Sequence, residues 1–236
     1  SRHDFFRNYA FLRFSPRPRH LRGVRKIGWE ASLDDFTSTA GVRQTRVETA
    51  TFRTIGDSGD EFHAVYAQTD DRPQAAFKVA GAVIAPGSYQ FRGVTLNYAL
   101  GPRRPLVGTA SIARGTFYGG NTTEVSYNGR VGLTSQFMVE PILTVTWLDL
   151  PQGSFRARLV SARTTYTMTP RMSLAALIQY NSTANGLGTN VRFRWEYRPG
   201  SDVFVVYGDG RDTLVRGVSG LLNRCITIKF TRLLRM

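Results

Sequence analysis

The chain of 236 residues is 42% hydrophobic and 12% aromatic, enough apolar material for one domain and too little for two separate cores. Its 31 Lys+Arg against 17 Asp+Glu give a formal net charge of +14, almost all of it arginine, with Lys26, Lys78 and Lys229 as the lysines. A single cysteine, Cys225, excludes an internal disulfide and a thiolate metal cluster, and His3, His20 and His63 lack metal-ligand spacing.

A period of two organises the chain. Strands are expected near 5–14, 22–33, 42–54, 61–68, 88–99, 106–118, 122–133, 137–149, 155–168, 172–181, 189–198, 202–208 and 224–236. Between the fourth and fifth, the stretch Asp70 to Pro86 has the composition for a short helix in a loop, around Ala75-Ala76-Phe77-Lys78-Val79-Ala80. Further on, Val125, Tyr127, Val131 and Leu133 oppose Glu124, Ser126, Asn128 and Arg130. Phe137, Val139, Leu143, Val145 and Trp147 then face away from Glu140, Thr144 and Thr146. In the next pair Met172, Leu174, Ala176, Ile178 and Tyr180 share a side, with Ser173, Gln179 and Asn181 on the other. The clearest run follows: Thr189, Val191, Phe193, Trp195 and Tyr197 alternate with Asn190, Arg192, Arg194, Glu196 and Arg198.

The connections fall into two classes. Thr134-Ser135-Gln136, Thr169-Pro170-Arg171 and the Pro199-Gly200 turn are tight, whereas 118–122, 150–154, 182–188 and 208–223 read as longer loops. Short and long connections alternate in this way in outer-membrane barrels, whose strands need only alternate apolar residues. No run reaches the roughly 18 apolar residues of a membrane helix, which leaves strand crossings open. A soluble sandwich would also alternate, yet its outer face rarely carries three arginines and a glutamate on one strand. The expected fold is therefore an all-β, antiparallel transmembrane β-barrel of about 12–14 strands in this chain. Tyr127, Trp147, Tyr180, Phe193, Trp195 and Tyr197 are the expected lipid-facing or girdle residues.

The last expected strand places Ile228, Phe230, Leu234 and Met236 on one face. Outer-membrane proteins end in such a strand, read by the barrel-insertion machinery, with an aromatic last residue where this chain has Met236. Phe230, Leu234 and Met236 are the expected insertion signal.

A family resemblance rests on Ser173-Leu174-Ala175-Ala176-Leu177-Ile178-Gln179-Tyr180-Asn181-Ser182, on the run from Asn190 to Asp202, and on Phe204-Val205-Val206-Tyr207. Val83-Ile84-Ala85-Pro86-Gly87-Ser88-Tyr89-Gln90-Phe91 and Arg103-Arg104-Pro105-Leu106 belong to the same pattern. From about residue 60 onward the chain resembles the barrel domain of unknown function in large bacterial outer-membrane proteins, where a periplasmic module like the family-nine carbohydrate-binding domains precedes it. The resemblance implies an outer-membrane location, with lipid, lipopolysaccharide, the insertion machinery and an N-terminal periplasmic module or other envelope subunits as partners. It brings no catalytic residues. Thirteen expected strands are an odd number where bacterial single-chain barrels have an even one, so the chain is expected to be the C-terminal portion of a longer protein.

Arg130, Arg156, Arg158, Arg192, Arg194, Glu196 and Arg198 are the expected lumen residues, either selecting anions or pairing with Glu124, Glu140 and Glu196 to fill the interior. The acidic groups at 57–61, 70–71 and 209–212 lack EF-hand spacing and are expected to be solvated turns. No nucleophile elbow, P-loop or HExxH motif is present, and His63 near Asp60 and Glu61 reads as a paired structural histidine. Neither a cofactor, a metal nor a nucleic-acid partner is expected of the barrel. The expected function is that of a pore, membrane anchor or envelope scaffold. The alternative is a soluble Arg-rich β-sandwich binding acidic glycan or nucleic acid.

Overall fold

The computed structural model describes residues 5–79, 81–214 and 220–233. Its strands are β1 (Phe5–Phe14), β2 (Val24–Ser38), β3 (Arg43–Gly56), β4 (Glu61–Asp71), β5 (Phe77–Val79), β6 (Ala82–Ile84), β7 (Tyr89–Leu100) and β8 (Leu106–Phe117). They continue as β9 (Gly120–Gly132), β10 (Phe137–Leu150), β11 (Gly153–Thr169), β12 (Met172–Asn181), β13 (Gly186–Arg198), β14 (Ser201–Asp212) and β15 (Gly220–Phe230). Thirteen of them form one antiparallel meander in chain order, with β5 and β6 set aside as a separate hairpin.

Three expectations change. The stretch 70–86 holds no helix: β5 and β6 pair there, because Phe77 and Val79 lie opposite Ile84 and Ala82 and turn one apolar side toward the sheet. The loops expected at 118–122 and 150–154 shrink to Tyr118-Gly119 and Pro151-Gln152. Tyr118 at φ 44° and Gly119 at φ 81° give the first of these the two left-handed residues of a tight hairpin. The sheet is also not closed into a barrel: β1 and β15 each have one neighbour, and every residue of both strands is exposed. One hydrogen-bonded order takes in all thirteen strands.

The chain divides into two compact units, one comprising 1–104, 109–126 and 145–156, the other 105–108, 127–144 and 157–236. In the first, the registers line up Phe14, Trp29, Phe52, Ala64 and Leu96 across β1, β2, β3, β4 and β7. The next row on that face is Leu12, Ala31, Ala50, Tyr66 and Val94. The opposite face carries the row Arg13, Glu30, Thr51, Val65 and Thr95, and then Gly28, Arg53, His63 and Asn97. Accessibility inverts the usual rule on β7, where Val94, Leu96 and Tyr98 are exposed and Thr95 and Asn97 are partly covered.

Among the described residues, the buried apolar cluster of this unit lies on its polar face. Ala82 and Ile84 of the hairpin pack with Leu148 and Leu150 of β10, flanked by Phe77, Val79, Tyr89, Phe117, Tyr118 and Phe155. Leu148 and Leu150 alternate in phase with Thr146, whose hydroxyl donates to Glu124 at 3.0 Å, so they share its side of the strand. Burying a side chain such as Ile84 contributes about 1.5–3 kcal/mol.

In the second unit the apolar rows are Met172, Trp195, Val203 and Phe230, then Leu174, Phe193, Val205 and Ile228, then Ala176, Val191, Tyr207 and Ile226. No hydrophobic side chain among its described residues is buried; Ser201 and Asp209 are the buried ones. Val191 and Phe193 are half-covered by large neighbours in their own rows, while Arg192 and Arg194 stand clear of Ser173, Ala175 and Gly208. Tyr127 folds its ring over Gly129 and Gly108 and donates to the Val107 carbonyl at 3.4 Å. Tyr127→Ala should uncover that backbone and cost about 1 kcal/mol, measured as a lower unfolding midpoint.

Candidate functional site

The polar face of the second unit gathers the charged side chains that the alternation places together. Arg192 and Arg194 lie on it in β13, opposite Val206 and Phe204. Arg194 donates from Nε to Asp202 Oδ1 at 2.9 Å, and the Arg192 guanidinium sits 4.6 Å from the centre of the Phe204 ring. Glu196 accepts from the Gly200 amide at 3.0 Å, which ties the strand end to its turn. The register shift after Glu196 sets Arg198 opposite Ser201 and takes it out of line with the other arginines.

Arg163, absent from the expected set, lies opposite Leu177 on this face. It lines a groove of about 380 Å³ with Asn128, Glu140, Ser161, Leu177 and Gln179. Arg130 alternates in phase with Asn128 and belongs to the same side. A second groove of about 360 Å³ shares Leu177 and Gln179 and adds Asn190, Asn223 and Cys225 over a floor of Gly188, Gly208 and Gly210. Amide groups, unbranched floor and spaced guanidinium groups make a lining that can exchange hydrogen bonds with a small polar or anionic solute. The signal for Arg163 was in the sequence as the alternation through β11, where Val160, Ala162 and Thr164 take the other side.

Besides Arg198, two more of the expected lumen arginines lie elsewhere. Arg158 alternates in phase with Val160, which is paired with Tyr180 on the apolar face. In the first unit, Arg156 holds its guanidinium 5.2 Å from the Trp147 ring. Among the aromatics, Phe193 and Trp195 keep the apolar side of β13, Tyr180 lies opposite Leu187, and Tyr197 stacks on Phe230 with ring centres 5.3 Å apart. Leu234 and Met236 lie outside the described residues.

The acidic groups are taken up internally. In the first unit Asp60 Oδ1 accepts from the Gly101 amide at 2.6 Å, and Oδ2 accepts from Arg104 at 2.7 Å, Ser58 at 2.9 Å and Tyr98 at 3.2 Å. Glu61 takes Arg53 at 2.6 Å and His63 at 3.2 Å. Asp71 accepts from Thr45 and from the Tyr118 hydroxyl at 2.8 Å, and burial raises the Tyr118 phenol so that it stays a donor. In the second unit Asp209 holds Arg211 at 2.6 Å and Arg224 at 3.1 Å. No group of three His, Cys, Asp or Glu side chains with metal-binding geometry occurs among the described residues.

The Gly101 amide, helped by Ser58, Arg104 and Tyr98, holds the Asp60 carboxyl below its ordinary value against the opposing effect of burial. A depressed folded value means that the stabilisation is complete above the unfolded value near 3.9 and fades as pH falls through the folded one. Asp60→Asn should therefore flatten the fall in unfolding midpoint between about pH 4 and pH 2, with the largest loss relative to the unaltered chain at neutral pH.

No family model, curated protein or solved structure matches this chain, so the case for its function rests on its own residues and their arrangement.

Proposed function

We propose that this chain builds the wall of an outer-membrane β-barrel pore, with its apolar face against lipid and its arginine-bearing face lining a passage that favours anions. One observation carries the reading: each unit has an apolar face crossed by charge-free rows, and no core covers those rows. Exposed apolar rows of this extent are a liability in water and a requirement in a bilayer.

The band has limits along the strand. In the first unit it runs from Ile27 to Ala31 on β2, about 13 Å of strand, and gives way to the row Leu33, Glu48, Gln68 and Arg92 and then to Asp35, Arg46, Asp70 and Gln90. In the second it runs from Val191 to Trp195 on β13, extended by Tyr197, and gives way to the row Thr189, Asp209 and Arg224 and then to Arg211. A barrel's lipid-facing band is about 25 Å tall and flanked by aromatic residues; Trp29, Tyr98, Trp195 and Tyr197 suit that place. Closure of the sheet is the part of the proposal that goes beyond the strands described.

Anion preference rests on Arg130, Arg163 and Arg192, which make no ion pair among the described residues. Replacing Arg163 and Arg192 by Gln should shift the reversal potential in a salt gradient toward cations. No shift would reduce the passage to a filled interior.

Adjacent valines test the membrane assignment. Val205 lies in the apolar row with Phe193 and Ile228, whereas Val206 lies opposite Arg192 and Thr227. Val205→Arg should cost about 2–4 kcal/mol in a bilayer and block insertion, while Val206→Arg should insert and keep the slower cold-detergent gel migration lost on heating. Equal behaviour of the two variants would defeat the proposal.

A further inference from the structure

The residues between β4 and β7 break the economy of the other connections beside them. Tyr118-Gly119 and Pro151-Gln152 turn the chain in the fewest residues a hairpin uses, yet 72–88 form a second hairpin and fold back over the sheet. They fold onto the polar face. Leu148 and Leu150, the landing site, share the side of Thr146 and Glu124, and Tyr89 shares the side of Thr95 and Asn97. The hairpin covers them with Phe77, Val79, Ala82 and Ile84, and Ile84 is 2% exposed.

The docking is fixed at both roots and at the tip. Tyr118 donates to Asp71 at the end of β4, Tyr89 donates to the Ala85 carbonyl at 2.9 Å just before β7, and Gly81 approaches the Phe155 ring. A Cβ at Gly81 would meet that ring at 3.6 Å, and its φ of 92° suits glycine. On the side turned away from the sheet, Lys78 lies opposite Val83, and Val83 is exposed.

We propose that the β5–β6 hairpin is an inward-folded plug: it narrows the passage by occupying the polar face and presents Lys78 to the solute. This rests on the pore assigned above, because only in a closed barrel does the polar face become a lumen. The burial pattern nevertheless argues for the inward position by itself. On a face whose rows carry Glu30, Thr51, Arg53, His63, Thr95 and Asn97 beside Val65, the hairpin covers the apolar cluster of Leu148 and Leu150.

The test compares the full chain with two variants in planar lipid bilayers. One replaces residues 73–87 by an Asn-Gly turn. The other is Leu148→Asp, which leaves the connection whole and makes its landing site match the surrounding polar face. Cold-detergent gel migration first reads whether each protein is a folded membrane barrel. Both variants should then conduct several-fold better than the unaltered protein, and Leu148→Asp should gain a trypsin cut at Lys78. Folded, inserted variants with unchanged conductance would overturn the plug and leave the barrel standing. An unaltered chain that never shows the folded migration would overturn the barrel, and the plug with it.

Discussion

Main-chain hydrogen bonding and side-chain burial are satisfied separately in this protein. Lateral pairing takes care of the peptide groups along the meander, from the β1–β2 register through to β14–β15. It does nothing for the side chains above and below. A twisted sheet in water covers its apolar face with a helix layer or a second sheet, and among the described residues neither lies on that face in either unit. The apolar rows of Trp29, Phe52 and Leu96, and of Phe193, Val205 and Ile228, are left uncovered, and the pore proposed above requires lipid against them. Everything read about the polar face follows from that requirement, because an apolar solvent on one side reserves the other for charge.

Close strand contact depends on small residues at particular places. Gly120 faces Asp149 and Leu150 so closely that any Cβ would strike their backbone, and Gly115 meets Arg92 and Gly93 in the same way. Where the backbone would be left bare, an aromatic covers it, as Tyr127 covers Gly129 and Gly108. The turn ends are secured by carboxylates rather than by packing. Asp60 links the β3–β4 turn to Gly101 and Arg104 after β7, and Asp209 gathers Arg211 and Arg224 across β14 and β15. A surface pair of this kind contributes little by itself; a carboxylate with several donors acts as a clamp on neighbouring turns.

Strand identity was legible because the period of two survives in β9, β10, β12 and β13, and side chains on such strands have only two directions. What could not be read is what depends on non-local pairing. The bulge after Glu196 removes Arg198 from its neighbours' face, although the residues themselves still alternate. Arg158 reads as one more lumen arginine until the Val160–Tyr180 pairing fixes the parity of β11, and that same parity brings Arg163 into the groove. The hairpin at 77–84 escaped notice because three-residue strands fall below the length at which periodicity speaks. Its apolar residues make sense only beside Leu148 and Leu150, far away in the chain.

Parity and position along the strand together sort the cations. Arg163, Arg192 and Arg194 sit within their strands on the polar side, where a guanidinium keeps water and polar neighbours. On the apolar side three successive rows in each unit are free of charge, and charge begins beyond them: Glu48, Arg92, Arg46 and Asp70 in the first unit, Asp209, Arg224, Arg211 and Arg158 in the second. Arg156, near the start of β11, lays its guanidinium over Trp147, as a long side chain does where apolar surroundings meet polar ones. A soluble sheet has no reason to clear charge from the middle of a face that water reaches. A bilayer has one, since the cost of a cation rises toward its midplane and falls away at its borders. In the proposed pore, the boundary of lipid would fall where the three charge-free rows end, at Glu48 and Arg92 in the first unit and at Asp209 and Arg224 in the second.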